Sequence, residues 1–333
     1  MPLRTLGGSG LTVSRLGLGL AAVGRPGYIT LGRARDLPRE RTPEALAART
    51  AELCDAAWAS GVRYFDVARS YGRAEEFLAR WLAAPGVPAG AMTVGSKWGY
   101  RYTAGWTVDA AVHEEKELSL ARFEHQLDET RALLGARLDL YQIHSATAES
   151  RCLEDGKLLA AMVAARRAGA CRALGLSLSG PTSDRALALA LRARVDGERV
   201  FDAVQATVNV LEPSLLPLLA AARAEGVGVI AKEVHANGRL TEANDRAEDA
   251  VLVAGLRRIA AAAGATIAEL ALAWVAAQPE IDVALSGAAT TEQLAGHVAA
   301  VGRPLAEGAR TALRMLAEPP RTYWATRARL AWT

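Results

Sequence analysis

Eight short apolar segments, each followed by a helix-forming stretch, recur along the chain between Leu16 and about residue 300. They are Leu16–Leu20, Arg63–Asp66, Met92–Lys97, Leu138–His144, Cys171–Leu176, Phe201–Gln205, Gly226–Lys232 and Asp282–Ser286. The segments show little polar alternation, as expected of parallel strands buried on both faces. The stretches between them carry helix punctuation. Thr42-Pro43-Glu44 opens one helix that Gly61 closes, and Gly169 closes another. Eight such units in 333 residues favour an α/β fold of the (β/α)8 type, a TIM barrel, over a doubly wound sheet. Gly17-Leu18-Gly19 resembles a loose dinucleotide fingerprint, but Gly24-Arg25-Pro26-Gly27 breaks the helix such a motif needs.

Residues 3–13 read as an N-terminal β-hairpin around Gly7-Gly8-Ser9-Gly10 that plugs the barrel bottom. The C-terminal stretch adds a helical extension of one helix and ends with Trp324 and Trp332. The chain 1–333 therefore reads as one barrel domain. Its long loops, about 98–116 and 233–247, and its tail, 319–333, lie over the active-site face.

Polar residues stand where the strands run out: Asp66, Lys97, His144, Ser177, Gln205, Lys232 and Ser286. In a barrel of this type those ends form the catalytic face. An acid at the tip of an apolar strand is costly unless it meets a cation or a donor. Lys97 is such a cation, and Tyr71 and His144 stand on adjacent units. A phenol, an ammonium, an acid and an imidazole make a proton-transfer site. The plainer alternative is a structural ion pair between Asp66 and Lys97.

Asp66-Val67-Ala68-Arg69-Ser70-Tyr71-Gly72 resembles the Asp-x-Ala-x-x-Tyr-Gly signature of the aldo-keto reductases. Lys97 in Gly-Ser-Lys-Trp-Gly and His144 in Leu-Tyr-Gln-Ile-His are similar to that family's Lys and His in order and spacing. The resemblance runs from the hairpin to about residue 300. It implies hydride transfer between a nicotinamide cofactor, NADP(H) or NAD(H), and a small carbonyl or alcohol: an aldehyde, a ketone or a sugar. By the same resemblance Tyr71 is the proton donor and His144 orients the carbonyl. Lys97 lowers the phenol pKa, and Asp66 pairs with Lys97.

The resemblance also assigns cofactor positions. Ser177 and Gln205 hold the carboxamide, but the family's Asn is here Leu178, so one carboxamide hydrogen bond is lost unless Ser179 replaces it. Lys232 stands where many members place an aromatic ring against the nicotinamide. Ser286, Gly287, Thr290 and Gln293 belong to the adenosine-phosphate loop, and His297 takes the adenine position. No cation lies between Ala284 and Ala300, so the residues lean towards NAD(H) or dual use while the family favours NADP(H). Trp98 and Trp106 are placed in the substrate pocket, and the loop aromatics suggest a bulky or ring-shaped substrate. His113 and His235 are further candidates to reach it, and Trp324 and Trp332 to close it.

The net charge of +3 is spread along the chain, with no run of five like charges. Nucleic-acid and membrane binding are therefore not suggested. Three cysteines without CxxC spacing, and no signal-peptide pattern, point to reduced thiols in the cytoplasm. No cluster has metal-ligand spacing. Monomer and homo-oligomer are equally compatible with the sequence. Two competing functions stay open. One is a cofactor-binding, non-catalytic regulatory subunit of the same fold, like the potassium-channel β-subunits. The other is a lyase or isomerase using Lys97 as a Schiff base.

Overall fold

The computed structural model describes residues 1–87 and 90–333. The chain begins with β1 (Leu3–Thr5) and β2 (Thr12–Ser14), an antiparallel hairpin. The barrel strands follow: β3 (Leu16–Gly19), β4 (Tyr64–Asp66) and β5 (Thr93–Trp98). A second hairpin, β6 (Tyr100–Tyr102) and β7 (Glu114–Lys116), interrupts the series before β8 (Leu140–Ala146) and β9 (Ala173–Leu178). A two-residue hairpin, β10 (Arg194–Val195) and β11 (Glu198–Arg199), precedes β12 (Ala203–Thr207), β13 (Gly228–Lys232) and β14 (Val283–Ser286). The strands β3, β4, β5, β8, β9, β12, β13 and β14 pair in parallel, in that order, and β14 returns to β3 to close the ring. This is the (β/α)8 barrel expected from the repeat.

Local signals set the helices. Thr42 accepts a hydrogen bond from the Ala45 amide and Pro43 occupies the first turn of the helix Pro43–Ala59. Thr266 and Glu269 form a reciprocal capping box at the start of the helix Ile267–Ala276. That helix is buried almost throughout because it packs into the barrel wall. No single helix among the described residues is long and apolar enough to cross a membrane.

The hairpin β1–β2 closes the bottom of the barrel. Leu6, Leu11 and Val13 form an apolar cluster with inward residues of the strands, among them Tyr64, Leu140, Ala203 and Val283. The expected single C-terminal helix is a correction: two form, Glu307–Arg314 and Pro320–Ala328. Pro319-Pro320 divides them, since a residue before proline is driven out of the helical region. The 98–116 insertion is not a plain loop, because Tyr100–Tyr102 pairs with Glu114–Lys116. Arg33 knits the 21–37 loop together by donating to the carbonyls of Ala22, Arg25 and Pro26 and to that of Thr333.

Candidate active site

A cavity of about 750 Å³ opens where the barrel strands end. Asp66, Tyr71 and His144 line it, as do Gln205, Lys232, Ser286, Gly287, Gln293 and His297. Lys97 lies just beneath, fully buried.

Tyr71 is seated by backbone contact between two loops. A Cβ on Gly24 would come within 2.4 Å of the Tyr71 carbonyl oxygen, and one on Gly72, at φ 61°, within 2.5 Å of the Gly24 oxygen. Only glycine permits that approach. The Arg73 amide then donates to the Gly24 carbonyl at 2.8 Å. The phenol ring is thereby pressed against the segment that follows β3.

Asp66 is fully engaged. Lys97 Nζ donates to its Oδ1 and, at 2.9 Å, to the Val67 carbonyl. The Tyr64 hydroxyl and Gln205 Nε2 both donate to Oδ2, at 2.9 and 2.8 Å. The ammonium of Lys97 lies 4.9 Å from the centre of the Tyr71 ring. His144 stands edge-on to Tyr71 with ring centres 5.4 Å apart, and edge-on to Tyr100 at 4.9 Å. Its Nδ1 is buried without a hydrogen-bond partner.

Burial, followed by the charge of Lys97, depresses the His144 pKa well below 6.5, so the imidazole is neutral at pH 7. The Tyr71 phenol moves the other way. Burial first, and the Asp66 carboxylate next, push its pKa well above 10, while Arg25 opposes them. The Lys97 ammonium, in contact with Asp66, does not bring the phenol below its usual value as expected.

A second charged cluster sits where β13 ends. Glu233 follows Lys232 at φ 54°, and Ser145 follows His144 at φ 58°. Left-handed backbone at a non-glycine residue is strained, and such strain gathers at functional sites. At Glu233 it breaks the alternation of the strand, so Lys232 and Glu233 both face the cavity. Lys232 Nζ donates to Thr207 Oγ1 at 2.9 Å and lies 3.7 Å from Glu233. Burial lowers Lys232 to about 8 against the pull of Glu233. Burial raises Glu233, but Arg327 and Lys232 outweigh it and hold the carboxyl at about 2. Arg327 Nε donates to Glu233 at 2.8 Å and fixes the last helix over the barrel.

The remaining sequence candidates divide. Ser177 is buried below the cavity, where its hydroxyl accepts from the Ser145 amide at 2.8 Å. Thr290 caps the helix Thr291–Val301 and does not reach the cavity. Leu178 is buried, whereas Ser179 reaches the wall. Trp98 does not line the cavity. It is the strand neighbour of inward-facing Lys97, so it points outward and packs on Phe123 at 5.2 Å. Trp106 is also outside, edge-on to Phe77 and donating to the Arg41 carbonyl at 2.8 Å. His235 lines the cavity and stacks on His297 at 4.6 Å, and Ser286 Oγ hydrogen-bonds His297 Nδ1 at 2.7 Å. Trp332 also lines it, stacked on His113 at 3.9 Å, which leaves His113 behind it.

Sequence reading missed Arg25, Tyr28, Glu114, Glu233 and Arg327 as cavity residues. They arrive from loops and the last helix, and no local pattern marks them. It also missed cations at the Ala289 end. Arg49 bridges the carbonyls of Asp36 and Ala289, at 3.1 and 2.9 Å, which sets the short helix Arg33–Asp36 beside that loop. Arg35 also lines the cavity, where its guanidinium donates to the Ala243 carbonyl at 3.5 Å and has no carboxylate partner among the described residues. Among the described residues no group of three or more His, Cys, Asp or Glu is arranged to hold a metal ion.

The Aldo/keto reductase family model matches residues 15–316. No curated protein matches the chain. Solved structures do. An aldo-keto reductase from Bacillus halodurans, in its holo form, superposes with a TM-score of 0.73 at 21% identity, over 96% of this chain and 97% of that one. A protein from Pseudomonas aeruginosa described as an aldo-keto reductase superposes with a TM-score of 0.63 at 24% identity, over 90% and 94%. At these identities the superpositions speak for the fold alone.

Proposed function

The chain belongs to the aldo/keto reductase family, and from that premise we propose that it reduces a small carbonyl compound with a nicotinamide cofactor and with Tyr71 as proton donor. One observation carries the reading. Tyr71 and a neutral His144 with an unpartnered buried nitrogen face each other at the barrel mouth, above the Lys97–Asp66 pair. An unpaired polar atom in a buried wall is costly and suits a site that a ligand completes.

The residues fit a dinucleotide. The cavity runs from Tyr71 to the loop at Gly287, where an added Cβ would meet nothing within 4 Å. Gln205 and Ser179 would hold the carboxamide, and Gln293 and His297 the adenosine end. When bound, the cofactor supplies the hydride. Tyr71 gives its phenol proton to the carbonyl oxygen. His144 donates one N–H to the same oxygen and orients it, without competing as an acid. Both groups meet charge as it develops on that oxygen. A phenol held well above its usual pKa stays protonated across the working range, which favours reduction over alcohol oxidation. Lys97, fully buried in a contact ion pair with Asp66, is unsuited to a Schiff base.

The test follows cofactor oxidation with a panel of aldehydes, ketones and sugars. Turnover supports the reading. Cofactor binding without turnover on any of them supports a non-catalytic, regulatory role instead.

Two further outcomes are expected. Lys232 loses its proton as pH rises through about 8. Cofactor affinity therefore changes across that range in the parent protein, and a Lys232→Met variant shows no such change in a binding titration. Arg35 supports NADP(H) over NAD(H), because a guanidinium with no carboxylate partner among the described residues suits an extra phosphate. Arg35→Ala lowers kcat/KM with NADPH about tenfold more than with NADH, roughly the value of one charge-assisted contact. Equal losses with both cofactors would count against it.

A further inference from the structure

Arg25 is almost wholly buried, yet it lines the cavity and packs directly on the proposed acid. Its guanidinium carbon lies 5.3 Å from the centre of the Tyr71 ring, 5.0 Å from Tyr28 and 4.9 Å from Trp332. One Nη donates to the carbonyl of Ser70, the residue before Tyr71, at 2.9 Å. The same nitrogen meets Glu114 Oε1, on the inserted hairpin β6–β7, at 2.6 Å. Nε is buried without a partner. A guanidinium with a spare buried donor, held between three aromatic rings, is more than a strut between loops.

Other charges face Tyr71 from the elements around it. Asp66 and Lys97 lie below, on β4 and β5, and form a contact ion pair. His144 on β8 is neutral. Lys232, Glu233 and Arg327 form their own cluster across the cavity. Tyr28 is held neutral by burial. The Arg25–Glu114 pair differs from the Lys97–Asp66 pair in its setting, since both of its members line the cavity and Glu114 comes from the inserted hairpin. We propose that Arg25 and Glu114 act as opposed positioning charges that set the proton affinity of Tyr71, with Arg25 favouring phenolate and Glu114 favouring phenol. The proposal rests on the assignment of Tyr71 as the proton donor. It makes the inserted hairpin part of the catalytic tuning and not only a wall of the cavity.

The test reads alcohol oxidation, in which Tyr71 must accept the alcohol proton. Below the pKa of the phenol the rate rises tenfold per pH unit. A charge within about 4–6 Å moves a pKa by about one unit or more. On that rising limb Arg25→Gln slows oxidation about tenfold, and Glu114→Gln speeds it by a similar factor. Arg25→Lys, which keeps the charge, stays near the parent rate. Slowing by both neutral variants, or no change in either, overturns the proposal. If Arg25→Gln does not fold, the Glu114→Gln arm decides alone, since acceleration is not what loss of a strut produces. Full reductase activity in Tyr71→Phe would remove the underlying assignment. An inactive Tyr71→Phe with unmoved profiles in the other variants would remove this inference only.

Discussion

A Tyr71→Phe variant loses about 10²–10⁴-fold in kcat for carbonyl reduction, the range over which a positioned general acid contributes. It keeps its affinity for the cofactor and its melting temperature. Among the described residues no hydrogen bond engages the Tyr71 hydroxyl, so its removal strands no buried partner. The ring remains between Arg25 and His144, and the Gly24–Gly72 contact is backbone and unaffected. The loss therefore appears in kcat and not in folding. Measured kcat within threefold of the parent would remove Tyr71 from the chemistry.

A Lys97→Met variant is expected to be costly in both stability and rate. It leaves the Asp66 carboxylate buried, with the Tyr64 hydroxyl and the Gln205 amide as donors but no cation. Breaking a buried pair from one side costs about 3–5 kcal/mol. Urea denaturation reads that difference directly as a lower midpoint at similar slope. Replacing both partners, Asp66→Asn with Lys97→Met, removes the stranded charge and returns most of the stability without returning activity. A double variant as unstable as the single one would show that the carboxylate was not the source of the loss.

The strand tips were legible because each is an apolar run that stops at a polar residue, and a closed barrel gathers all such tips at one face. Asp66, His144, Gln205, Lys232 and Ser286 line or floor the cavity for that reason. Trp98 was misplaced although the rule that decides it is local: its neighbour Lys97 faces inward, so Trp98 cannot. Glu233 shows the limit of the same rule, since its left-handed backbone keeps it on the face that alternation denies it. Arg25 and Glu114 were not legible at all. They meet across a sequence separation of 89 residues, and the close approach of Gly24 and Gly72 together with the Arg25–Ser70 hydrogen bond brings the first of them to Tyr71. The two-helix tail turned on Pro319-Pro320, a stop signal visible in the sequence but not used to split the segment.

The pairing of β14 with β3 has a consequence for biosynthesis. On the ribosome, the first barrel strand must wait for the last to emerge from the exit tunnel before the ring is complete. Through that interval β3 and β13 present bare main-chain amides and carbonyls, which are templates for mispairing with other nascent chains. Yield in the cell should thus depend on how long this interval lasts and on chaperones that shield the two strands, more than on the thermodynamic stability of the finished barrel.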